Sequence, residues 1–272
     1  MSSQSLWNEL GDIARSLARE AGEHALVMRL EAIGNVTTKS SSTDVVTSAD
    51  TATEQLILER LTTLRPHDAV LGEEGAAVTG TTGVVWHIDP IDGTTNYLYG
   101  IPQFSVSIGA ELDGDVVAGA VFNPSTDEMF SAIRGSGAIL NDQSISANTE
   151  TDLGRSLVAT GFGYQAHIRS HQAEILGQII PHIRDIRRIG SAALDLCSLA
   201  AGRIDAYYEQ GLNQWDLAAG TLIATEAGAR VENLTGGPPD SSFLLGVTAT
   251  LFEPLKAKLV AAGAGSPPKI SS

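Results

Sequence analysis

The stretch best suited to chemistry begins at Asp89 and reads Asp89-Pro90-Ile91-Asp92-Gly93-Thr94-Thr95-Asn96. Two carboxylates stand three residues apart after a short apolar run, and Pro90 and Gly93 restrict and bend the backbone. We expect this bend to place both acids on one side. A helix that begins here would present free backbone N–H groups to a phosphate. Taken alone, the motif is equally compatible with an Asp-rich surface turn.

Other acidic residues could complete a site with this motif. Glu73 and Glu74 lie between two glycines after a short apolar run, Asp50 precedes a predicted helix, and Asp216 follows Trp215. Each has a structural alternative, since Asp50 or Asp216 could be a helix N-cap and Glu74 a solvated loop charge. As ligands, carboxylates suit magnesium or manganese better than zinc.

No rival catalytic motif stands out. The six histidines form no HExxH pattern, and the sequence contains neither a G-x-S-x-G nor a G-x-x-x-x-G-K-[ST] motif. His167 and His171 fit a solvated surface pair. The turn Gly161-Phe162-Gly163 reads as a tight connection that could also lie beside a ligand.

The charge balance restricts the class of partner. The 272 residues carry a formal net charge of -15, from 32 acidic and 17 basic residues. This excess argues against nucleic acid and against an anionic membrane surface, because phosphate backbones are bound by clustered Lys and Arg. An acidic protein can still bind an anionic substrate when metal cations lie between them.

Cysteine usage and the missing targeting signals indicate a compartment. Cys197 is the only cysteine, so no internal disulfide can form, and its apolar helical surroundings predict a buried thiol. The sequence shows no secretory signal and no apolar segment of about 18 residues. We therefore expect a cytoplasmic protein.

Periodicity predicts a mixture of helices and hairpins in the first half. A helix is expected over Ser5 to Leu30, then a Ser/Thr-rich loop over Thr37 to Thr43. Thr51 and Glu54 match a capping box for a second helix that ends at Pro66. Asp113-Gly114 predicts a hairpin between the strands 105–112 and 115–122.

The second half alternates between helices and strands. The predicted helices cover residues 168–180, 191–201, 215–227 and 251–262, with Gly228 as a C-cap, and strands are expected at 204–208, 231 and 243–247. The pattern indicates one α+β unit over residues 1–272. We divide it into an N-terminal α+β half (about 1–150), a C-terminal α/β half (151–262) and a flexible tail (263–272).

Two motifs together resemble the inositol monophosphatase family. One is the Asp89 stretch, and the other is Trp215-Asp216-Leu217-Ala218-Ala219-Gly220, with Gly72-Glu73-Glu74 in register upstream. The segments from Arg187 to Ala193 and through Tyr208-Glu209 are similar to the actinobacterial inositol-1-monophosphatases. The resemblance implies an αβαβα layered sandwich of the inositol monophosphatase/fructose-1,6-bisphosphatase type, and a homodimer.

The resemblance also implies roles for individual residues. Glu73, Asp89 and the Ile91 carbonyl would hold one Mg²⁺, and Asp89, Asp92 and Asp216 a second, with a third, weaker ion near Glu73. The catalytic residues would be Glu73, Thr94 and Asp50, with Asp50 orienting Thr94 toward the attacking water. Phosphate and polyol would be bound by Asp92, Gly93, Thr94, Thr95, Ala192 and Glu209. Lys39 matches a lysine of the family's mobile loop.

The implied activity is magnesium-dependent hydrolysis of a small polyol phosphate, with myo-inositol 1-phosphate as the first choice. Two or three Mg²⁺ per site are implied, with Mn²⁺ as a substitute, together with inhibition by lithium. Histidinol phosphate, fructose 1,6-bisphosphate or a nucleotide bisphosphate are alternative substrates, since Glu209 could accept hydrogen bonds from hydroxyls or from an amine. A non-catalytic regulatory binding protein is the alternative from another class.

Overall fold

The computed structural model describes residues 3–34 and 42–266, which form helices packed against two sheets. The α-helices are α1 Ser3–Gly34, α2 Ser42–Leu64, α3 Thr94–Tyr99, α4 Ala166–Ile179, α5 Ala192–Ala200, α6 Gln214–Glu226 and α7 Phe252–Ala261. Short 3₁₀ turns lie at Leu153–Arg155, Ile180–His182 and Ala249–Leu251.

The strands of the first half form one eight-stranded sheet. They are β1 Ala69–Gly72, β2 Ala77–Val78, β3 Val84–Asp92, β4 Ser105–Leu112, β5 Asp115–Asn123, β6 Glu128–Ile133, β7 Ala138–Leu140 and β8 Gln143–Ile145. Their order is β2-β1-β3-β4-β5-β6-β7-β8, with β1 parallel to β3 and the other neighbours antiparallel.

The strands of the second half form a separate five-stranded sheet. They are β9 Leu157–Thr160, β10 Asp185–Arg187, β11 Ala206–Glu209, β12 Ala229–Glu232 and β13 Leu244–Thr248, in the order β10-β9-β11-β13-β12.

The elements stack in five layers. α1 and α2 cover one face of the eight-stranded sheet, and α5 and α6 lie between the two sheets. α4 and α7 cover the outer face of the second sheet. Because α5 and α6 are buried on both sides, they carry long apolar runs; every residue of α5 is buried. The predicted αβαβα sandwich is thereby confirmed.

The predicted hairpin and helix end are also confirmed. β4 and β5 pair around a turn in which Asp113 and Gly114 have φ of 54° and 93°, the left-handed values that a two-residue hairpin turn requires. Gly228 follows α6 with φ of 94°. The Cys197 thiol is buried. The second half is packed as far as Ala264, which is 6% exposed.

The predicted start of the second helix is wrong. α2 begins at Ser42, so Thr51 and Glu54 lie inside the helix, and Ser42 and Thr43 are helical instead of belonging to a loop. Thr51 and Glu54 match the capping-box motif in sequence but do not cap a helix in the structure. In the structure the Glu54 carboxylate accepts hydrogen bonds from a distant turn, whose position no local pattern reveals.

Within the described ranges, no helix is long and apolar enough to cross a membrane.

Candidate active site

The Asp89 motif occupies the end of β3 and the start of α3. Gly93 joins the two with φ of 93°, and a Cβ at this position would lie 2.9 Å from the Gln103 carbonyl oxygen. A side chain at 93 would therefore be strained in both backbone and packing. The turn directs Asp89 and Asp92, with the buried Ile91 between them, toward the α5 and α6 N-termini.

Asp89 is the centre of a group of carboxyls. It is 1% exposed, the Glu73 and Asp216 carboxyls lie beside it, and its Oδ1 atom has no hydrogen-bond partner. Burial raises the pKa of Asp89 well above its usual range, and the neighbouring negative charges of Glu73, Asp92 and Asp216 raise it further. Such a group is costly to ionise without a cation.

Asp50 lies near this group on the inner face of α2. It is 4% exposed, its Oδ1 atom has no hydrogen-bond partner, and burial followed by the charges of Glu74, Glu73 and Glu54 raises its pKa to about 8. The alternative that Asp50 is a helix N-cap is wrong, because it lies inside α2. The Thr94 hydroxyl donates to the Ile91 carbonyl oxygen at 3.3 Å. Orientation of Thr94 by Asp50 stays a prediction.

Asp216 enters the group from the first turn of α6. Its Oδ2 atom accepts a 2.6 Å hydrogen bond from the Asn213 backbone N–H, so Asn213 is the N-cap and the alternative that Asp216 fills this position is wrong. Burial raises the pKa of Asp216, with the charge of Glu73 adding to the effect. The helix start thus fixes the carboxyl beside Asp89.

Asp92 connects the motif to α5. Its carboxylate accepts hydrogen bonds from the Ala192 and Ala193 backbone N–H groups at 3.2 and 2.8 Å, and from the Ser191 hydroxyl at 2.5 Å. These donors lower the pKa of Asp92, but burial outweighs them and raises it to about 7. Ser191 was missed at the sequence level. Its place before an apolar helix signals an N-cap, but nothing local signals a partner 99 residues away.

Glu209 forms a separate carboxyl pocket near Asp92. The Tyr207 hydroxyl donates to its Oε2 atom at 2.6 Å, and burial raises the pKa of Glu209 to about 7. A Cβ at Gly161 would lie within 2.1 Å of all three carboxyl atoms of Glu209, so the missing side chain at 161 makes room for this carboxylate. Sequence reasoning also missed Tyr207, whereas it left open that the turn at Gly161 lies beside a ligand.

The structure therefore brings most of the predicted residues together. Electrostatic repulsion connects the carboxyls of Glu73, Asp89, Asp92 and Asp216. The Glu209 carboxyl is repelled in turn by those of Asp92 and Asp216. Ala192 touches Asp92 through its N–H, while Thr95 is exposed on the first turn of α3. Lys39 lies outside the described residues.

The side chains fit a hard cation by their chemistry. The group combines carboxylates with a main-chain carbonyl, the Asp89 and Asp50 Oδ1 atoms are buried without hydrogen-bond partners, and no member forms a salt bridge in the described part of the chain. Across residues 3–34 and 42–266, no three His, Cys, Asp or Glu side chains are arranged to hold a metal as they stand. Ligation of a metal thus requires these side chains to rearrange.

The family profile described as "Inositol monophosphatase family" matches residues 6–264, which includes every residue of this group. The chain belongs to the inositol monophosphatase family. The sequence-level resemblance is confirmed.

Relatives within the family carry two kinds of name. The chain is 50% identical over 240 residues to "Inositol-1-monophosphatase SuhB" of Mycobacterium tuberculosis H37Rv, covering 82% of this chain and 83% of the relative. It is 40% identical over 233 residues to "Nus factor SuhB" of Pasteurella multocida, covering 85% and 87%. The solved structure "Mycobacterium tuberculosis SuhB" superposes with a TM-score of 0.84 at 42% identity, covering 95% of this chain and 98% of that one.

Proposed function

We propose that the chain is a magnesium-dependent phosphatase that hydrolyses myo-inositol 1-phosphate to inositol and phosphate. The observation that carries the proposal is Asp89, a buried carboxyl with an unpartnered oxygen, which lies between Glu73 and Asp216 and forms no salt bridge with any basic residue that the structure describes. Perturbed pKa values of this kind concentrate at functional sites.

Each carboxyl has a place in the proposed chemistry. Glu73, Asp89, Asp92, Asp216 and the Ile91 carbonyl would hold two Mg²⁺, with a third near Glu73. When bound, the ions would neutralise the phosphoryl oxygens and lower the pKa of a water molecule. The Gly93, Thr94 and Thr95 backbone N–H groups at the start of α3 would orient the phosphate.

The attacking water would be positioned by the chain's own polar groups. The Thr94 hydroxyl, which lies beside the Ile91 carbonyl, would hold the water in line with the scissile P–O bond. Glu73 would accept the proton of this water as a general base, and Asp50 would orient the Thr94 hydroxyl. The leaving alkoxide of inositol would then be protonated from water. No covalent intermediate is required.

The Glu209 pocket supports a hydroxyl-rich leaving group. Its carboxylate is held by Tyr207 beside Gly161 and can accept hydrogen bonds from vicinal hydroxyls. The same carboxylate could bind the amine of histidinol phosphate, so a substrate panel must separate the two. Support for inositol comes from the relative named inositol-1-monophosphatase at 50% identity.

A homodimer is part of the proposal, and an exposed apolar patch next to the site supports it. Tyr99 and Ile101, at the end of α3, are 75% and 45% exposed. Exposed aromatic and aliphatic side chains are typical of subunit interfaces. Light scattering on the purified protein should give twice the mass of the 28.4 kDa chain.

The decisive experiment measures phosphate release from inositol 1-phosphate, histidinol phosphate and fructose 1,6-bisphosphate, each with Mg²⁺ and with EDTA. We expect Mg²⁺-dependent turnover that is fastest on inositol 1-phosphate, and inhibition by lithium. A preference for another ester would overturn the substrate assignment and retain the metal site. No turnover on any ester would favour a binding role, such as the one implied by the name of the Pasteurella multocida relative.

A further inference from the structure

Glu54 has no assigned part in the site, yet it contacts the turn that carries Glu73. The side chain projects from α2, one helical turn after Asp50, and is 6% exposed. Its Oε2 atom accepts a hydrogen bond from the Glu74 backbone N–H at 2.9 Å, and its Oε1 atom accepts one from the Ala76 N–H at 3.0 Å. Both carboxylate oxygens are thus used on one short turn.

The remaining hydrogen bonds of that turn come from the backbone. The Gly72 N–H donates to the Ala76 carbonyl at 2.8 Å, and the Glu73 N–H donates to the Ile88 carbonyl on β3 at 3.1 Å. Glu54 supplies the acceptors for the Glu74 and Ala76 N–H groups, which these backbone bonds do not use. The turn is therefore fixed from one side by β3, which carries Asp89, and from the other by Glu54.

Gly72 is shaped for this contact. A Cβ built at Gly72 would lie 2.1 Å from Oε2 and 2.7 Å from Cδ of Glu54. Any larger residue at 72 would push the carboxylate off the turn. The Glu54 carboxylate can therefore occupy this position only because residue 72 has no side chain.

The location of Glu54 is electrostatically unfavourable, which argues for a function. Its negative charge raises the pKa values of Asp50, Glu73 and Glu74. A neutral or apolar residue inside α2 would avoid this repulsion but could not accept two backbone N–H groups in the same way. The contact that offsets the repulsion is the one made with the turn.

We propose that Glu54 is a positioning residue, which holds the 72–76 turn so that the Glu73 carboxylate faces Asp89. The inference rests on the proposed function, in which Glu73 is a metal ligand. Outer groups that orient ligands typically contribute about 10- to 100-fold to metal affinity. Glu54 touches neither the substrate nor the reacting atoms in this account.

The test compares Glu54→Gln with the wild-type chain and with Glu59→Gln. A carboxamide has one acceptor oxygen, so the Glu54→Gln variant would leave either the Glu74 or the Ala76 N–H facing an NH₂ group. Glu59 lies on the same helix, is exposed and contacts Gln55, so Glu59→Gln removes the same charge without touching the turn. We expect Glu54→Gln to raise the Mg²⁺ concentration for half-maximal activity about tenfold, with kcat at saturating Mg²⁺ nearly unchanged.

A second readout is independent of activity. Amide hydrogen exchange in EDTA should show faster exchange of at least one of the Glu74 and Ala76 N–H groups in Glu54→Gln, and wild-type rates in Glu59→Gln. The rise in the Mg²⁺ midpoint should persist at high salt, since a purely Coulombic effect would be screened. This exchange measurement does not depend on whether the protein is a phosphatase.

Three results would overturn the proposal. They are unchanged exchange of both amides, faster exchange with an unchanged Mg²⁺ midpoint, and a fall in kcat that saturating Mg²⁺ does not relieve. Failure of the proposed function looks different, because wild-type and variant would then both lack Mg²⁺-dependent turnover.

Gly72→Ala tests the same contact without replacing Glu54, and combining it with Glu54→Ala gives a double-mutant cycle. Gly72→Ala should displace the Glu54 carboxylate and raise the Mg²⁺ midpoint as Glu54→Ala does. Combined, the two changes should be strongly non-additive, because the clash at 72 disappears once the carboxylate is gone. Additive effects would show that Gly72 and Glu54 act separately and would contradict the arrangement.

Discussion

Two buried aspartates, Asp68 just before β1 and Asp89 within β3, lie near opposite ends of β3 in opposite environments. At one end Asp68, 3% exposed, accepts hydrogen bonds from the Arg65 guanidinium at 2.8 Å, the Thr82 hydroxyl at 2.6 Å and the Trp86 indole N–H at 3.0 Å. At the other end Asp89 is similarly buried, but it lies between carboxyls and has an unpartnered oxygen.

The pKa directions follow from these neighbours. Burial alone would raise the pKa of Asp68, but the hydrogen bonds from Arg65, Thr82 and Trp86 outweigh it and lower the pKa. For Asp89, burial and negative neighbours act together and raise the pKa. Asp68 is thus paired with the Arg65 guanidinium, while Asp89 has no ion pair within residues 3–34 and 42–266. From this difference we infer that Asp68 is structural and that Asp89 serves the proposed metal site.

The largest expected effect tests the ligand-binding end. Asp89→Asn should lower kcat at saturating Mg²⁺ by at least about 100-fold, because a carboxamide neutralises the charge that would hold the cations. The metal-free protein should be at least as stable as the wild type, since a repulsive charge is removed. Steady-state kinetics and thermal unfolding in EDTA measure the two quantities. A variant that retains most of its turnover would contradict the metal-site assignment.

The matched change at the structural end should show the reverse pattern. Asp68→Asn weakens a buried ion pair with Arg65 and should lower the free energy of unfolding by about 2 kcal/mol. Activity per folded molecule should stay within about twofold of the wild type. Urea unfolding provides the measurement, and Asp142→Asn, at an exposed ion pair with Arg15, is the control with an expected change under about 0.5 kcal/mol. Loss of activity without loss of stability would contradict the assignment of Asp68 as a structural carboxyl.

The pH dependence of stability should separate the two ends. A folded-state pKa above the unfolded value gives stability that is present below the unfolded pKa and lost as pH rises through the folded pKa. For Asp50 these values are 3.8 and about 8. In EDTA these two values give a fall in the free energy of unfolding of about 3–4 kcal/mol between pH 5 and 8. Asp68, with a lowered pKa, contributes stability above pH 3.8 that is lost on acidification.

Chemical denaturation across this pH range, with Asp50→Asn as the comparison variant, measures the effect. The variant should show a flatter profile, and Mg²⁺ should remove most of the wild-type slope. If the free energy of unfolding of the wild type rises between pH 5 and 8 in EDTA, the pKa values of the site carboxyls are not raised in the folded state.

Glu209 is intermediate between Asp68 and Asp89, because it is buried but accepts a hydrogen bond from the Tyr207 hydroxyl. Glu209→Gln should raise KM for inositol 1-phosphate about tenfold, the loss of roughly one charged hydrogen bond. The Mg²⁺ midpoint should not change. Gly161→Ala, which displaces the same carboxylate, should reproduce the effect. A shift of the Mg²⁺ midpoint in either variant would place Glu209 in the metal site instead.

The sequence predicted those features that depend on local patterns. Apolar periodicity located α6 and the β4–β5 hairpin, and the Asp89 motif located the site, because the required residues are neighbours in the chain. The sequence could not reveal that Glu54 accepts hydrogen bonds from the 72–76 turn. Thr51 and Glu54 were therefore interpreted as a capping box, although both lie inside α2. The Ser191–Asp92 hydrogen bond and the packing of Glu209 against Gly161 likewise depend on how distant elements pack.

The central claim is that the Asp89 end of β3 binds Mg²⁺, and calorimetric titration of the metal-free protein with Mg²⁺ near neutral pH tests it most directly. We predict saturable binding of two or three ions per chain in the wild type and in Asp68→Asn, and loss of at least one site in Asp89→Asn. No saturable binding in the wild type, or undiminished binding in Asp89→Asn, would contradict the claim.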